Sequence, residues 1–392
     1  MSRSNWIEYS NIRYPIGPEN PKKKTNVKKV LVVGGAGYIG SMLVRKLLQK
    51  GYKVRVLDIL LYGDESILSL YDNPNFEFCQ GDFRDRESVV RCAKDVDAVI
   101  HLGAIVGDEA CRLDPQLTLE VNSAATKMIK QVCVRLGVKR FIFASTCSVY
   151  GANDNIINEK SVLNPLSIYA MSKRDAEQAI FGTFDGNCCW TILRLATAFG
   201  ASYRPRFDLV INLLTAVAFF EKNITIFGGR QWRPFIHVLD IAKAFIICLE
   251  APMEVVDKQI FNVGANHLNC QILKIGEMIA CLVPFSSVEH RQDAKDNRSY
   301  QVSFDKIRNL LGFTCDKGIQ DGILEIKDAL QSGLIDNYRE PKYNNYRWLE
   351  KLIEKRELFA KRFLGKIDIL PKAISQPSIA ICSCVASSQQ HE

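Results

Sequence analysis

Short hydrophobic runs alternate with helix-length amphipathic segments between Lys28 and about Asn155. The runs are rich in Val, Ile and Phe with little polar alternation, which is typical of buried parallel strands. They are KVLVVG (29–34), KVRVLD (53–58), FEFCQG (76–81), AVIHLG (98–103) and RFIFAS (140–145), and WTILRL (190–195) follows later; predicted helices cover 38–51, 85–96, 121–137 and about 167–183. This alternation predicts right-handed crossovers and an α/β fold built on a doubly wound parallel (Rossmann) sheet.

The regular alternation ends after Gly200, where Pro and Asn interrupt shorter segments. We therefore expect a smaller mixed α/β lobe that faces the substrate, with helices at about 239–250 and 271–282. The expected organisation is an N-terminal extension (1–27), a dinucleotide-binding domain (28–200) to which strand and helix 236–250 return, the lobe (mainly 201–340), a charged C-terminal helix (343–365, within 341–370) and a disordered Ser/Gln-rich tail (371–392).

Charge and cysteine content restrict the class of protein. The net charge of +8 comes from the ends of the 392-residue chain, since residues 1–29 carry seven Lys/Arg against two Glu and residues 339–392 carry ten against six acidic residues. The near-neutral remainder argues against nucleic acid as a partner. Thirteen cysteines without a regular framework fit a reducing compartment. With no secretory leader and no apolar stretch long enough for a membrane span, we expect a cytoplasmic protein without a structural metal.

A glycine-rich turn, GGAGYIG (34–40), directly follows the first predicted strand and opens a helix. Such glycines permit a tight turn and close backbone approach to a pyrophosphate, with a helix N-terminus directed at the anion. Asp58 stands 18 residues after Gly40 at the end of the second strand. A carboxylate there accepts from both ribose hydroxyls and repels a 2′-phosphate, which favours NAD over NADP. Asp82, in GDFRD (81–85), is placed to meet the adenine amine.

A second group of residues points to proton transfer. Tyr169 and Lys173, in IYAMSK (168–173), are four residues apart and so share one face of a helix. A lysine cation one turn away and a positive nicotinamide ring would lower the pKa of a tyrosine that is otherwise a poor base near neutral pH. Thr146, in ASTCSVYG (144–151), ends a strand and could hydrogen-bond the substrate oxygen that Tyr169 deprotonates.

Together these motifs resemble the extended short-chain dehydrogenase/reductase superfamily, in its NAD-dependent nucleotide-sugar epimerase/dehydratase family of the UDP-glucose 4-epimerase type. The resemblance runs from about 28 to 330. It is carried in order by GGAGYIG, Asp58, GDFRD, HLGAIVG (101–107), VNSAATKMI (121–129), STCSVYG, YAMSK, LRLATAFG (193–200) and WRPFIHVLDIAKAF (232–245). Two departures stand out. The family often has Asn where this chain has Thr197, and the terminal extensions have no counterpart.

The resemblance implies roles for individual residues. Thr146, Tyr169 and Lys173 would be the catalytic triad, with NAD as the cofactor. The residues implied to bind that cofactor are Gly34, Gly37, Tyr38, Ile39, Gly40, Asp58, Asp82, Phe83, Leu102, Ala104, Asn122, Tyr169 and Lys173. The family commonly forms homodimers through helices that include the one bearing the tyrosine, so a homodimer is expected here.

A nucleoside-diphosphate sugar brings two negative charges that a near-neutral body must meet locally, usually with arginine. The resemblance gives Arg233, in WRPFIHV, the diphosphate contact. Arg298 is a second candidate, with Arg291 competing for that role, and each could instead form a surface ion pair. Thr146 and, in PRFDLVIN (205–212), Arg206 and Asn212 are further candidate substrate contacts. His237 is expected to bond the backbone rather than to act in catalysis.

The neighbours of Thr146 indicate the reaction. Dehydratases that resemble this protein carry Asp-Glu directly after the threonine, and the decarboxylases of the branch keep a Glu at the second position; here these positions hold Cys147 and Ser148. Neither residue supplies the carboxyl group that elimination requires. We therefore expect hydride transfer alone, in a 4-epimerase that oxidises the sugar transiently at C4 through a 4-keto intermediate.

Three other functions remain open at this point. The first is an NAD(P)H-dependent reductase or dehydrogenase of a 4-keto-deoxysugar nucleotide, which releases its cofactor in every turnover. The second is a catalytically silent NAD-binding regulator or scaffold, against which the intact triad argues. The third is a hydroxysteroid-type dehydrogenase, which would have no need of Arg233. The nucleotide and the sugar are not determined by the sequence.

Overall fold

The computed structural model describes residues 26–184, 186–291 and 298–354. The strands, in chain order, are β1 (Lys29–Val33), β2 (Lys53–Asp58), β3 (Phe76–Gln80), β4 (Ala98–His101), β5 (Arg140–Thr146), β6 (Ile156–Ile157), β7 (Cys189–Leu195), β8 (Thr197–Phe199), β9 (Asn223–Phe227), β10 (Trp232–His237), β11 (Gln259–Val263), β12 (Asn269–Gln271), β13 (Ser287–Arg291) and β14 (Gln301–Val302).

The helices are α1 (Tyr38–Gln49), α2 (Arg86–Ala93), α3 (Asp108–Leu113), α4 (Pro115–Leu119), α5 (Ala125–Arg135), α6 (Ile168–Phe181), α7 (Val210–Glu221), α8 (Val238–Glu250), α9 (Met253–Val256), α10 (Ile272–Leu282), α11 (Asp305–Leu311), α12 (Ile319–Gln331) and α13 (Asn345–Glu354). A π-helical turn, Glu120–Ala124, joins α4 to α5. No helix among the described residues is both long and apolar enough to cross a membrane.

Seven parallel strands form the main sheet in the order β11-β7-β5-β4-β1-β2-β3. The order reverses at β1, which pairs with β2 on one side and β4 on the other. This arrangement confirms the predicted doubly wound sheet, in which ligands bind beyond the carboxyl ends of the strands at the reversal. The seventh strand, β11, was not predicted, because it lies within the segment assigned mainly to the lobe and joins the sheet only by pairing with β7.

Each face of the main sheet is covered by helices, and β1 shows how. Val30 and Val32 pack in one core with α1 and α8, while Leu31 and Val33 pack in the opposite core with α2, α5 and α6. Successive side chains of a strand point to opposite faces, so a strand covered on both sides is apolar throughout. This explains the continuous hydrophobic runs of the sequence.

The segment after Gly200 forms a smaller lobe around three minor sheets, β12-β10-β8, β13-β9 and β14-β6. Its core joins residues of α7, α10 and α12 to Phe199 and Phe235. Strand β10 pairs with β8 and β12 rather than with the main sheet. Of the segment 236–250, therefore, the helix α8 packs against the main sheet, whereas the strand residues belong to a minor one.

The C-terminal helix α13 spans Asn345–Glu354 and packs against α3. The helix predicted over 343–365 thus begins two residues later than expected, and its remainder lies outside the described residues. Residues 1–25 of the N-terminal extension and the predicted disordered tail also lie outside the described residues. The described part of the C-terminal segment packs against α3 and against the loops that follow β2 and β4, which the sequence did not indicate.

Candidate active site

A cavity of about 770 Å³ lies beyond the carboxyl ends of the main-sheet strands, between the sheet and the lobe. Residues predicted from distant parts of the sequence meet in its wall. Those that line it are Gly34, Gly37, Tyr38, Ile39, Gly40, Asp58, Asp82, Phe83, Leu102, Ala104, Thr146, Tyr169, Lys173, Arg206, Arg233 and Arg298. The volume is appropriate for a dinucleotide and part of a second ligand.

The glycine turn between β1 and α1 has room for backbone but not for side chains. Gly34 has φ 83°, and a Cβ on it would lie 2.6 Å from the backbone N of Gly103. A Cβ on Gly40 would lie 2.2 Å from the Gly34 carbonyl oxygen. These close approaches require glycine and bring the start of α1 against the cavity, where its free N–H groups can meet a phosphate. The turn therefore fits the pyrophosphate of a dinucleotide.

Asp58 ends β2 and lines the cavity. Its carboxylate accepts hydrogen bonds from the backbone N–H groups of Ala36 (3.0 Å) and Leu60 (2.9 Å), which fix its orientation. Burial raises the pKa of Asp58, and these backbone bonds and Arg204 oppose that rise. Asp82 follows β3 and is held by Arg84 at 2.6 Å. Carboxylates thus stand at the ends of two adjacent strands, where the ribose and base of a dinucleotide would lie.

Two predicted ligand contacts use their side chains within the protein instead. Asn122 is fully buried, and its amide group pairs with the backbone of Ile105 (2.8 and 2.9 Å) and donates to Ser172. Asn212 accepts from the Gly200 N–H and donates to the carbonyl oxygens of Gly200 and Arg206. Neither residue lines the cavity, so each positions a wall of it. Sequence motifs could not separate these two roles.

Thr146, Tyr169 and Lys173 converge on the cavity because β5 ends beside the first turns of α6. Thr146 lies beside the Tyr169 hydroxyl, and the Lys173 ammonium lies 4.3 Å from the centre of the Phe143 ring. Burial raises the pKa of Tyr169, while the Arg206 cation and the Thr146 hydroxyl oppose the rise. Burial also lowers the pKa of Lys173 to about 7, against the attraction of Glu177. Desolvation thus dominates both groups, whereas the spacing alone suggested that the lysine charge would dominate.

A buried ionic network beneath the triad was not predicted. Glu177, one turn beyond Lys173 on α6, receives two hydrogen bonds from Arg194 (2.6 and 3.0 Å) and one from Ser145. Arg194 also donates to the Tyr150 hydroxyl at 2.9 Å. The Arg194–Glu177 pair is almost fully buried. It ties β5, β7 and α6 together and so fixes the relative positions of Thr146 and Tyr169. The signal in the sequence was Arg194, the only charged residue in the otherwise buried strand β7.

The positions after Thr146 hold no carboxylate. Cys147 is buried and donates to the carbonyl oxygen of Arg194, and burial raises the pKa of its thiol. The Ser148 hydroxyl accepts from Thr146 at 3.1 Å. Ser148 and Tyr300 both line the cavity beside Thr146.

Three arginines line the lobe side of the cavity. Arg233 lies 5.6 Å from the centre of the Tyr300 ring, and Arg298 pairs with Asp108 at 2.5 Å. Arg206 forms a two-point ion pair with Asp208. Guanidinium groups are able to bind phosphate oxygens through charge-assisted hydrogen bonds, although Arg298 and Arg206 are each paired with a carboxylate in this structure.

Two other residues raised by the sequence lie away from the cavity lining. Arg291 pairs with Glu289 on the exposed strand β13. His237 accepts from the Leu239 N–H at 3.2 Å and contacts Glu325 at 2.8 Å, so its ring caps α8. Among the described residues, no group of His, Cys, Asp or Glu side chains is arranged to hold a metal ion.

A doubly wound sheet with a glycine turn, ribose-side carboxylates and a Tyr/Lys pair at one cavity defines a dinucleotide-dependent enzyme of the oxidoreductase type. The model of the NAD dependent epimerase/dehydratase family matches residues 30–264, and the chain belongs to this family. Its cofactor is NAD, and it is an NAD-dependent sugar-nucleotide epimerase or oxidoreductase.

Relatives in the family differ in activity. The chain is 30% identical over 308 residues to a UDP-glucose 4-epimerase of Lactobacillus helveticus, covering 73% of this chain and 91% of that one. It is 28% identical over 323 residues to UDP-glucuronic acid decarboxylase 4 of Arabidopsis thaliana, covering 79% and 70%. The chain is also similar to the solved structure of UDP-glucuronic acid 4-epimerase from Bacillus cereus in complex with UDP-glucuronic acid and NAD, with a TM-score of 0.68 and 25% sequence identity. This match covers 78% of this chain and 99% of that one.

Proposed function

We propose that the protein is a nucleotide-sugar 4-epimerase that inverts C4 through a transient 4-keto sugar. The observation that carries the proposal is the composition of the cavity around Thr146. The cavity has a tyrosine, a threonine and a lysine for a hydroxyl proton. Cys147 and Ser148 follow Thr146, where the resemblance to dehydratases implies Asp-Glu and the resemblance to decarboxylases implies a Glu at the second position. Asp108 and Asp208, other carboxylates of the lining, are held in ion pairs with Arg298 and Arg206.

The lobe is suited to hold a nucleoside diphosphate. Arg233, Arg298 and Tyr300 all line the cavity, with Arg233 5.6 Å from the centre of the Tyr300 ring and Arg298 two residues before Tyr300 in the chain. Charge-assisted bonds from such arginines to phosphate oxygens are strong and directional. They would anchor the nucleotide while the hexose ring remains free to turn over. We regard Arg206 as a weaker candidate for this contact because Asp208 already occupies its guanidinium fork.

The chain's own residues transfer one proton, that of the C4 hydroxyl group. NAD, when bound, supplies a hydride acceptor and a positive charge beside the reacting carbon. Thr146 orients the C4 hydroxyl group, and Tyr169 Oη takes its proton as the C–H bond at C4 is broken. Arg206 and Thr146 favour the phenolate form of Tyr169, against its burial. Tyr169 returns the same proton when the other face of the 4-keto sugar is reduced.

An assay with purified protein and no added cofactor tests the proposal. Incubation with UDP-glucose or UDP-galactose, and with UDP-glucuronic acid or UDP-galacturonic acid, should interconvert one of these pairs. No NADH should accumulate in solution. Consumption of one NADH or NADPH per 4-keto-deoxysugar nucleotide, with no interconversion of any pair, would instead establish a reductase. Formation of a 4-keto-6-deoxy sugar would establish a dehydratase.

We further propose that the protein works as a homodimer in the cytoplasm. The hydrophobic side chains of Met171 and Phe181 are exposed on α6, the helix that carries Tyr169, which supports pairing through this helix. The eleven described cysteines are free thiols, which supports a reducing compartment. Light scattering on a size-exclusion column should give a mass near twice 44.2 kDa, and a monomer at micromolar concentration would contradict the dimer.

A further inference from the structure

Arg204 occupies an unusual position at the edge of the cavity. It belongs to a loop of the lobe that is fastened to the first turn of α1, since the Ser202 hydroxyl donates to the Tyr38 carbonyl oxygen at 2.6 Å. Its guanidinium lies 3.8 Å from the centre of the Tyr62 ring, which follows β2, and donates to the Lys342 carbonyl oxygen at 3.4 Å. Arg204 therefore stands where the glycine turn, the loop after β2 and the C-terminal segment meet.

This arginine is buried without a paired anion. Arg204 is only 6% exposed, and its Nε has no hydrogen-bond partner among the described residues. Its neighbour Arg206 is bound at two points by Asp208, whereas the described residues give Arg204 no ion pair. Burial lowers the pKa of Arg204 to about 10, so it remains a cation. A buried charge without a directly paired anion is costly for a protein to maintain. Arg204 also lines the cavity.

Asn345 presents the complementary feature on the C-terminal segment. Its Nδ2 donates to the Val106 carbonyl oxygen at 3.1 Å, and its backbone N–H donates to Asp208. Its Oδ1 has no partner among the described residues, although the side chain is only 4% exposed and lines the cavity. A buried acceptor without a donor costs about 1–3 kcal/mol. Asn345 thus offers an acceptor where Arg204 offers a donor.

The C-terminal segment that carries Asn345 bridges two loops of the dinucleotide-binding domain. The Trp348 indole N–H donates to the Leu61 carbonyl oxygen, after β2, at 2.6 Å. Leu349 packs with Ile105 and Cys111, after β4. We call Arg204 together with residues 341–354 the roof. It spans the ends of the strands that carry Asp58 and the glycine turn, and residues 341–354 lie beyond the family match at 30–264.

We propose that Arg204 and Asn345 bind the NAD cofactor directly and that the roof retains it between turnovers. Arg204 supplies the cation that faces the cofactor's diphosphate beside the N-terminus of α1. Asn345 Oδ1 accepts from a hydrogen-bond donor of the same dinucleotide. The two contacts come from outside the strand–helix repeat and complete a site that the glycine turn leaves open on one side. The proposal concerns the cofactor alone and does not depend on which sugar reacts.

Cofactor release tests the proposal without any sugar substrate. Protein loaded with NADH is mixed with excess NAD, and the loss of bound NADH fluorescence gives the release rate. Arg204→Met should release NADH at least ~10-fold faster than the wild type and should bind ADP-ribose correspondingly more weakly, because a hydrogen bond to a charged group is lost. Arg45→Met is the matched control. Arg45 also stacks on a tyrosine, Tyr203 at 3.4 Å, but does not line the cavity. The Arg45→Met variant should therefore release NADH at the wild-type rate.

Asn345→Ala tests the second contact. It should speed NADH release several-fold, whereas Arg347→Ala, at an exposed position of the same helix, should not change it. Wild-type release rates in both Arg204→Met and Asn345→Ala would overturn the proposal and leave these residues a structural role. If Arg204→Met does not fold, the neutral variant Arg204→Gln replaces it, and wild-type release from that variant and Asn345→Ala would have the same meaning. A loss of affinity confined to NADPH would assign Arg204 to a 2′-phosphate and would also contradict the proposal.

Discussion

The floor and the roof of the cavity are built in opposite ways. By the floor we mean the glycine turn (34–40), Asp58 and the triad of Thr146, Tyr169 and Lys173. Each floor residue lies at the carboxyl end of a main-sheet strand or in the helix that follows it. The roof is joined by contacts that are distant in sequence, such as Trp348 to Leu61 across 287 residues and Asn345 to Val106 across 239. The floor residues can be located from the local sequence, whereas the roof is formed by contacts between residues that are far apart in the chain.

The two regions also differ in how their polar groups are satisfied. In the floor, Asp58 is bonded by two backbone N–H groups, and Thr146 Oγ1 accepts from the Ser148 N–H. In the roof, Arg204 Nε and Asn345 Oδ1 have no partner among the described residues. We propose that the floor is organised before ligands arrive, while the roof obtains its remaining partners from the cofactor.

The largest expected effect is on chemistry in the floor. Tyr169→Phe should lower kcat by about 10²- to 10⁴-fold, because it removes the group that exchanges the C4 hydroxyl proton. Bound NAD should remain at the wild-type ratio, as measured by its release from denatured protein. Tyr346→Phe is the roof counterpart, since Tyr346 lines the cavity but its hydroxyl bonds Glu350. That variant should keep near-normal kcat. Equal losses of kcat in the two variants would contradict the assignment of proton transfer to the floor alone.

The next effect concerns the backbone of the floor. Gly40→Ala would place a Cβ 2.2 Å from the Gly34 carbonyl oxygen, so the turn must open and copurified NAD should be lost. Overpacking of this kind costs about 1–3 kcal/mol of folding free energy. Gly182→Ala is the control, because a Cβ there lies 3.4 Å from the nearest atom. Calorimetric titration with NAD checks both variants, and normal affinity in Gly40→Ala would show that the turn is not the pyrophosphate site.

A smaller effect is expected from loosening the roof alone. Trp348→Phe removes the N–H donated to the Leu61 carbonyl oxygen and leaves the ligand-facing atoms of Arg204 and Asn345 intact. The loss of about 1 kcal/mol should speed NADH release a few-fold without changing the pH dependence of kcat. Stopped-flow fluorescence measures the release rate. A change in the kcat profile would mean that the roof also acts on the chemistry of the floor.

The smallest effect is a pH dependence of stability from Lys173. Burial lowers its folded pKa from 10.5 to about 7, so the unfolded chain binds more protons between these values. The free energy of unfolding should therefore rise with pH across this window, through the Lys173 contribution. Denaturant titrations at pH 7 and pH 9 should show a larger gain for the wild type than for Lys173→Met. An equal gain would place Lys173 in a solvated environment.

Sequence reasoning recovered the floor because its residues follow strands that their own hydrophobicity reveals. The glycine turn, Asp58 and the Tyr169/Lys173 pair each occupy a fixed offset from such a strand. Asn122 and Asn212 differ from the other predicted contacts, because their amide groups bond the protein's own backbone and do not line the cavity. A motif does not show whether the partner of such an amide is a ligand or the backbone.

The roof and the Arg194–Glu177 pair could not be predicted in the same way. Arg204 and Arg206 are two residues apart in sequence. Only the structure shows that Arg206 is paired with Asp208 and that Arg204 Nε has no partner among the described residues. The amphipathic pattern of α13 predicted a helix but not the surface on which its apolar face packs. β11 was missed for a related reason, since its pairing with β7 depends on the path of α8. Long-range contacts decide each of these cases.

The fate of the hydrogen at C4 of the sugar tests the central claim most directly. Purified protein is incubated with UDP-galactose carrying deuterium at C4, or with the corresponding UDP-galacturonic acid, and the product is examined by mass spectrometry. The account predicts the C4 epimer with deuterium retained at C4 and no NADH released. Product that has lost the deuterium, or a 4-keto sugar released together with NADH, would contradict it.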